Sequence, residues 1–185
     1  RTGSGGVVDS LCFPGSGEYW EEADSSFWLD LLDPDPVPIT AAWIELDTDA
    51  SGSPIAALQG GSSTQVELYR YDGSMWAAYS ALDLSGDYTS IETVGFFLDG
   101  SDHAYVACET YNDTTQFGAG VYRYNGSSWM DTGLASQLQD VDIVTGIGIA
   151  ERISGTGLYA GAAYKTTSAT YFLELWEYDG SSWQQ

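Results

Sequence analysis

One phrase returns three times in this 185-residue chain. It reads Leu68-Tyr69-Arg70-Tyr71-Asp72-Gly73-Ser74-Met75-Trp76, then Val121-Tyr122-Arg123-Tyr124-Asn125-Gly126-Ser127-Ser128-Trp129, then Leu175-Trp176-Glu177-Tyr178-Asp179-Gly180-Ser181-Ser182-Trp183. The copies are spaced about 50 residues apart, the length of a supersecondary repeat. Within each, aromatic and polar residues alternate with the period of a strand. Each then meets Asp-Gly or Asn-Gly, the strongest short signal for a tight hairpin. The repeated positions Tyr71, Asp72, Gly73 and Trp76, Tyr124, Asn125, Gly126 and Trp129, and Tyr178, Asp179, Gly180 and Trp183 read as structural.

The surroundings of the phrase repeat as well. Between 90 and 134, Val94–Leu98 reads as a first strand and Asp99-Gly100-Ser101-Asp102 as a turn. His103–Glu109 reads as a second strand, Asn112–Thr115 as a loop and Gly118–Tyr124 as a third strand; a fourth begins near Trp129. The same order fits 141–185, with strands at 143–150, 157–164, 170–178 and 182–185. It also fits 39–82, with strands at 42–47, 54–58, 64–71 and 75–79. A shorter unit, 1–33, offers Val7–Phe13 and Glu18–Ala23, and Asp24-Ser25-Ser26-Phe27-Trp28-Leu29 echoes the turn. Its innermost strand is missing before residue 7, as befits an atypical terminal repeat; the alternative is removal by processing or supply by another chain. Asp33-Pro34-Asp35-Pro36-Val37-Pro38 reads as a rigid bridge, and Asp131–Asp142 as a loop between units. The expectation is a single all-β domain over 1–185, a four-bladed β-propeller of four-stranded antiparallel meanders. The alternative is an incomplete set of blades belonging to a larger propeller or assembly.

Charge narrows the partners. Asp and Glu number 27 against 5 Lys and Arg, a net charge of −22, and Lys165 is the sole lysine. Such a surface repels phosphates and anionic lipid, which argues against nucleic acid. The sequence has no apolar run of membrane-spanning length. Aromatic content of 14% sets the chain apart from a disordered acidic tail. The lysine poverty and the wealth of Ser, Thr, Gly, Tyr and Trp point to a secreted or cell-surface protein, in keeping with a saline setting. Cys12 and Cys108 allow one disulfide; Cys108, inside the alternating run Ala104–Glu109, reads equally well as a reduced core thiol.

Candidate site residues are weighed against structural roles. Trp76, Trp129 and Trp183 suit packing between adjacent sheets; the sharper reading is a ring of sugar-binding tryptophans. Arg70 and Arg123 occupy equivalent slots, taken by Glu177 in the last copy, and suit pairing with neighbouring carboxylates better than an anion pocket. Asp99, Asp102 and Asp113 can supply oxygen ligands to calcium, without the spacing of an EF-hand loop. His103 is the sole histidine. No carboxylate pair is marked by an apolar setting that would raise a pKa, and no nucleophile elbow or phosphate loop is present. The sequons at Asn112 and Asn125 offer glycosylation sites, with Asn112 in an open loop the better acceptor.

The pattern of a small apolar strand, a Tyr-containing strand rich in Ala and Gly, and Tyr-Arg/Glu-Tyr-Asp/Asn-Gly-Ser-x-Trp resembles secreted β-propeller repeat proteins, lectin-like propellers among them. It covers 42–79, 94–133 and 143–183, and faintly 7–31. The Asp-box of sialidase-like propellers has a different spacing, and the glycine-led motifs of kelch repeats are absent. The resemblance implies an extracellular recognition or assembly module acting through inter-blade loops, with a glycan, a protein surface or a second copy as partner. Alternatives are a structural subunit of a surface layer, filament or virion, and a carbohydrate-active enzyme using an acidic pair.

The charge yields a direct prediction. The Debye length falls from about 30 Å at 0.01 M salt to about 3 Å at 1 M. The melting temperature should therefore rise with NaCl over that range, as self-repulsion is screened. A flat thermal-melt series would overturn this.

Overall fold

The computed structural model describes residues 12–14, 20–22, 44–59, 62–112, 117–138, 141–152 and 157–185. Among them the fold is all-β, with strands paired antiparallel to their neighbours in chain order. A short hairpin comes first, β1 (Cys12–Pro14) with β2 (Trp20–Glu22). Three four-stranded meanders follow. The first sheet holds β3 (Ile44–Thr48), β4 (Pro54–Gln59), β5 (Gln65–Tyr71) and β6 (Trp76–Asp83). The second holds β7 (Ser90–Leu98), β8 (Ala104–Tyr111), β9 (Phe117–Tyr124) and β10 (Trp129–Asp131). The third holds β11 (Val141–Glu151), β12 (Leu158–Thr166), β13 (Tyr171–Tyr178) and β14 (Trp183–Gln184). No described helix is long and apolar enough to cross a membrane.

These sheets are the three complete units expected from the repeat. Among the described residues of 131–142 lies one 3-10 turn, Leu134–Gln137. In the first unit the described pairing is that of β1 with β2; the remainder of Val7–Phe13 and Glu18–Ala23 lies outside the described residues. Asp24–Leu29 and the bridge Asp33–Pro38 lie outside the described residues.

The sheets stack through their faces, with first strands β3, β7 and β11 in contact as neighbours. Side chains alternate across each strand, so the middle sheet serves two cores. Phe96, Val106, Cys108 and Tyr122 point towards the first sheet, where they meet Ile55, Ala57, Val66, Leu68 and Leu82. Phe97, Tyr105, Ala107, Ala119 and Val121 point the other way, against Val144, Leu158, Ala160, Ala162, Trp176 and Tyr178. This double duty explains why seven consecutive residues from Ala104 are buried in β8.

Cys108 is a free thiol, fully buried in the first core. Of the two readings open for Cys108, its environment is that of the core thiol, packed between two sheets. Burial pushes its thiol well above the ordinary range.

Gly120 shows how closely the core is fitted. A Cβ placed there would lie 2.7 Å from the Tyr122 ring. That ring is 6% exposed; burial raises its pKa, and so, less strongly, does its hydroxyl's hydrogen bond with Tyr88. Gly120→Ala should therefore destabilise by about 1–3 kcal/mol, the usual cost of overpacking. Gly86→Ala, with open space around its Cβ, should be close to neutral. Urea denaturation of both variants checks the contrast.

Candidate functional site

The hairpin ends of the three sheets are built by one device. Asp72 Oδ1 accepts from Ser74 N at 2.8 Å, Ser74 Oγ at 2.7 Å and Met75 N at 2.9 Å. Asn125 repeats this with Ser127 and Ser128 at 2.8–3.0 Å. Asp179 repeats it with Ser181 and Ser182, each at 2.8 Å. A short polar side chain thus caps the donors of its own turn. The following glycine has φ between 90° and 98° in Gly73, Gly126 and Gly180, where a side chain would be strained.

The turn sets the tryptophan. Trp76, Trp129 and Trp183 lie 5.4, 5.3 and 4.9 Å from Tyr71, Tyr124 and Tyr178, centroid to centroid. Trp129 Nε1 donates to Ser80 Oγ of the preceding sheet at 2.9 Å, and Trp183 Nε1 to Thr132 O at 3.1 Å. Trp129 and Trp183 thus tie their sheets to the preceding ones. Trp76 Nε1 is buried with no partner among the described residues.

Beside these turns lie the charged slots. Arg70 pairs with the buried Asp49. Burial works against that carboxylate's charge, but the Ser51 hydroxyl, the Ser53 and Ser51 amides and Arg70 outweigh it and hold its pKa low. In the middle sheet Arg123 Nη2 lies 3.0 Å from His103 Nδ1, which is itself 2.9 Å from Asp99 Oδ2. Arg123 also stacks over the Tyr105 ring at 5.7 Å. In the last sheet the signs are exchanged: Glu177 fills the arginine slot and pairs with Arg152 at 2.6 Å. Arg70 thus has a carboxylate partner, as its slot suggested, whereas Arg123 meets His103 where a carboxylate was expected; sequence reasoning missed Asp49 and the Glu177–Arg152 pair, whose members are distant in the chain.

The calcium candidates are otherwise engaged. Asp99 accepts from the Ser101 and His103 amides at 2.9 and 3.0 Å. Asp102 accepts from Ala50 N at 2.6 Å, joining the first two sheets. Asp113 lies outside the described residues, among which no group of three His, Cys, Asp or Glu side chains is placed to hold a metal. Asn112 is exposed just after β8. Asn125 Oδ1 is occupied by its turn.

A concavity of about 260 Å³ sits on the outer half of the first sheet, lined by Glu67, Leu68, Tyr69, Ala78, Tyr79, Ser80 and Ala81. The ladder between β5 and β6 slips between Leu68 and Tyr69. Ser80 opposes Leu68 and Ala78 opposes Tyr69, so Tyr79 is the extra residue of a bulge. Tyr79 packs edge-on against Tyr124 at 5.7 Å. Tyr69 donates to Glu67 Oε2 at 2.7 Å. Burial and this carboxylate push Tyr69 up to about 12, so it remains a donor at neutral pH. Glu67 is the one carboxylate in the lining. Nothing in the residue pattern marks this groove, because the bulge in Trp76–Ala81 carries no glycine or other marker.

No protein-family model matches this chain, and no curated protein matches it. Among solved structures, a fucose lectin from Kordia zhangzhouensis in complex with methyl-fucoside aligns at 13% identity and a TM-score of 0.49, over 77% of this chain and 96% of its own. An exo-1,5-alpha-L-arabinanase from a bovine ruminal metagenomic library aligns at 14% identity and a TM-score of 0.44, over 71% of this chain and 51% of its own.

The turns predict an acid response. The Ser182 amide, the Ser181 hydroxyl and the Ser181 amide lower Asp179 to about 2, from an ordinary value of 3.8. Its contribution to stability is present above the ordinary value and is lost as pH falls through about 2. Asp179→Asn should keep the turn, as Asn125 does, and remove that dependence. Thermal melts from neutral to strongly acidic pH should show wild type losing more stability than the variant; parallel curves would refute the assignment.

Proposed function

We propose that this chain is an extracellular recognition module on a four-bladed propeller scaffold, and that it binds a glycan in the groove beside Tyr69. The blades would be 1–33, 39–82, 90–134 and 141–185, the last three corresponding to the observed sheets. The observation that carries the reading is the groove's chemistry: the Tyr69 side chain, two small exposed alanines and a carboxylate already fixed by the Tyr69 hydroxyl. A sugar offers an apolar C–H face and a rim of hydroxyls. Aromatic rings suit the first, and an ionised carboxylate is a strong acceptor for the second. Ala78 and Ala81 leave room for a ring to approach. The acidic, lysine-poor surface supports an extracellular setting and a neutral or cationic ligand over a phosphorylated one.

A glycan array followed by calorimetry on the best ligand tests this. Tyr69→Ala should weaken binding by at least about tenfold, the loss of a principal contact. Glu67→Gln should weaken it less, and Met75→Ala, exposed at a remote turn, should leave it unchanged. An array with no bound glycan would defeat the reading. Cleavage without stable binding would favour a carbohydrate-active enzyme instead.

A further inference from the structure

The turns that join first to second strand in the first two sheets are one device with one decisive residue changed. Asp49 Oδ1 accepts from Ser51 N at 2.9 Å and Ser53 N at 2.8 Å. Asp99 Oδ1 accepts from Ser101 N at 2.9 Å and His103 N at 3.0 Å. Thr48 opposes Pro54 and Leu98 opposes Ala104, so Ser53 and His103 hold one repeat position. Arg70 opposes Ile55 and Arg123 opposes Tyr105, so the two arginines are equivalent as well. In the first sheet Arg70 meets Asp49 directly. In the second, the imidazole of His103 stands between the two charges. Its Nδ1 lies 2.9 Å from Asp99 Oδ2 and 3.0 Å from Arg123 Nη2. One ring nitrogen cannot serve both. Without a proton it accepts from the guanidinium; with one it donates to the carboxylate.

We propose that His103 is a proton-operated switch set into an arginine–carboxylate pair: neutral, its Nδ1 holds Arg123, and protonated, it turns to Asp99 and releases the guanidinium. The neighbouring groups leave the ring as the member that changes charge. Burial works against the charge of Asp99, but the His103 amide and ring and the Ser101 amide outweigh it and hold its pKa low. Asp102, in the same turn, is committed to Ala50 N at 2.6 Å. Tyr105 lies under the guanidinium at 5.7 Å, and its hydroxyl is 3.4 Å from Asp99 Oδ2. Burial pushes Tyr105 up to about 12. From the third sheet Tyr178 faces Arg123, raised by burial, with Asp179 beside it lowered to about 2. Imidazoles titrate between about pH 5 and 8, and the His103 side chain is 27% exposed, so water can deliver the proton. Two cations at 3.0 Å then repel. The guanidinium leaves with its Nε already buried and unpartnered among the described residues. Tyr105 and Tyr178 belong to the core between the second and third sheets, so acid uncovers the hairpin end of that interface. Asp49, held low, keeps its charge over the same range, and the Arg70 pair does not respond.

Nitrogen NMR of the isotopically labelled full chain, titrated from about pH 8 to about pH 5, tests the proposal. His103 is the sole histidine, so its ring signals are unambiguous. The expected result is a bare Nδ1 at the upper end and a protonated Nδ1 at the lower. The Arg123 guanidinium signal should move with the same midpoint as the ring, and that of Arg70 should stay in place. His103→Ser, which installs the residue of the equivalent first-sheet position, should let Arg123 meet Asp99 directly and abolish the movement. At the acid end the guanidinium hydrogens of wild-type Arg123 should exchange with water about tenfold faster than in that variant, the factor for loss of a hydrogen bond. His103→Gln, which keeps a neutral side chain in the slot, should also remove the pH response. An Nδ1 that carries its proton throughout the titration would overturn the switch. So would an Arg123 signal that does not follow the ring, or one that still moves in both variants.

Discussion

Each four-stranded sheet of this protein is apolar on both faces, and neither face can be covered from within the sheet. A two-layer sandwich would satisfy one face of each member and leave the other to water. Successive stacking is the solution the chain uses, and it shapes everything else. Phe96 and Phe97, or Val106 and Ala107, are neighbours in sequence yet belong to different cores.

The repeat preserves physical roles more faithfully than residue identities. Asp72, Asn125 and Asp179 cap their turns in the same way, although one carries no charge. The Arg70–Asp49 pair and its reversed counterpart Glu177–Arg152 join a third strand to the end of a first strand or the turn that follows it. What the site requires is neutralisation, and either polarity supplies it. With Lys165 on Asp142 and Arg123 beside His103, every described basic side chain has a polar partner. The excess negative charge is therefore left largely on carboxylates without a cation, spread over the surface.

Most of the fold was legible in the sequence because its signals are local. Asp-Gly-Ser-x-Trp specifies a turn through atoms within four residues, and alternation fixes which side chains share a face. The three complete meanders follow from those two facts. The site was less legible, because it arises where distant segments meet or where the ladder slips. Nothing in Ala77-Ala78-Tyr79-Ser80-Ala81 announces that Tyr79 is bulged, so the groove at Tyr69 was invisible. Asp49 could not be matched to Arg70 across a chain separation that pattern alone does not bridge.

The burial of Cys108 has a consequence for how separation of the sheets can be observed. Thiol reagents attack the thiolate, and here both access and ionisation are suppressed by the same packing. Reaction at Cys108 must therefore wait for the first and second sheets to part. Where reclosing is faster than chemistry, the labelling rate reports the free energy of that opening. The side chain is thus an internal gauge of a single interface, blind to fraying at the strand ends and to movement in the second core.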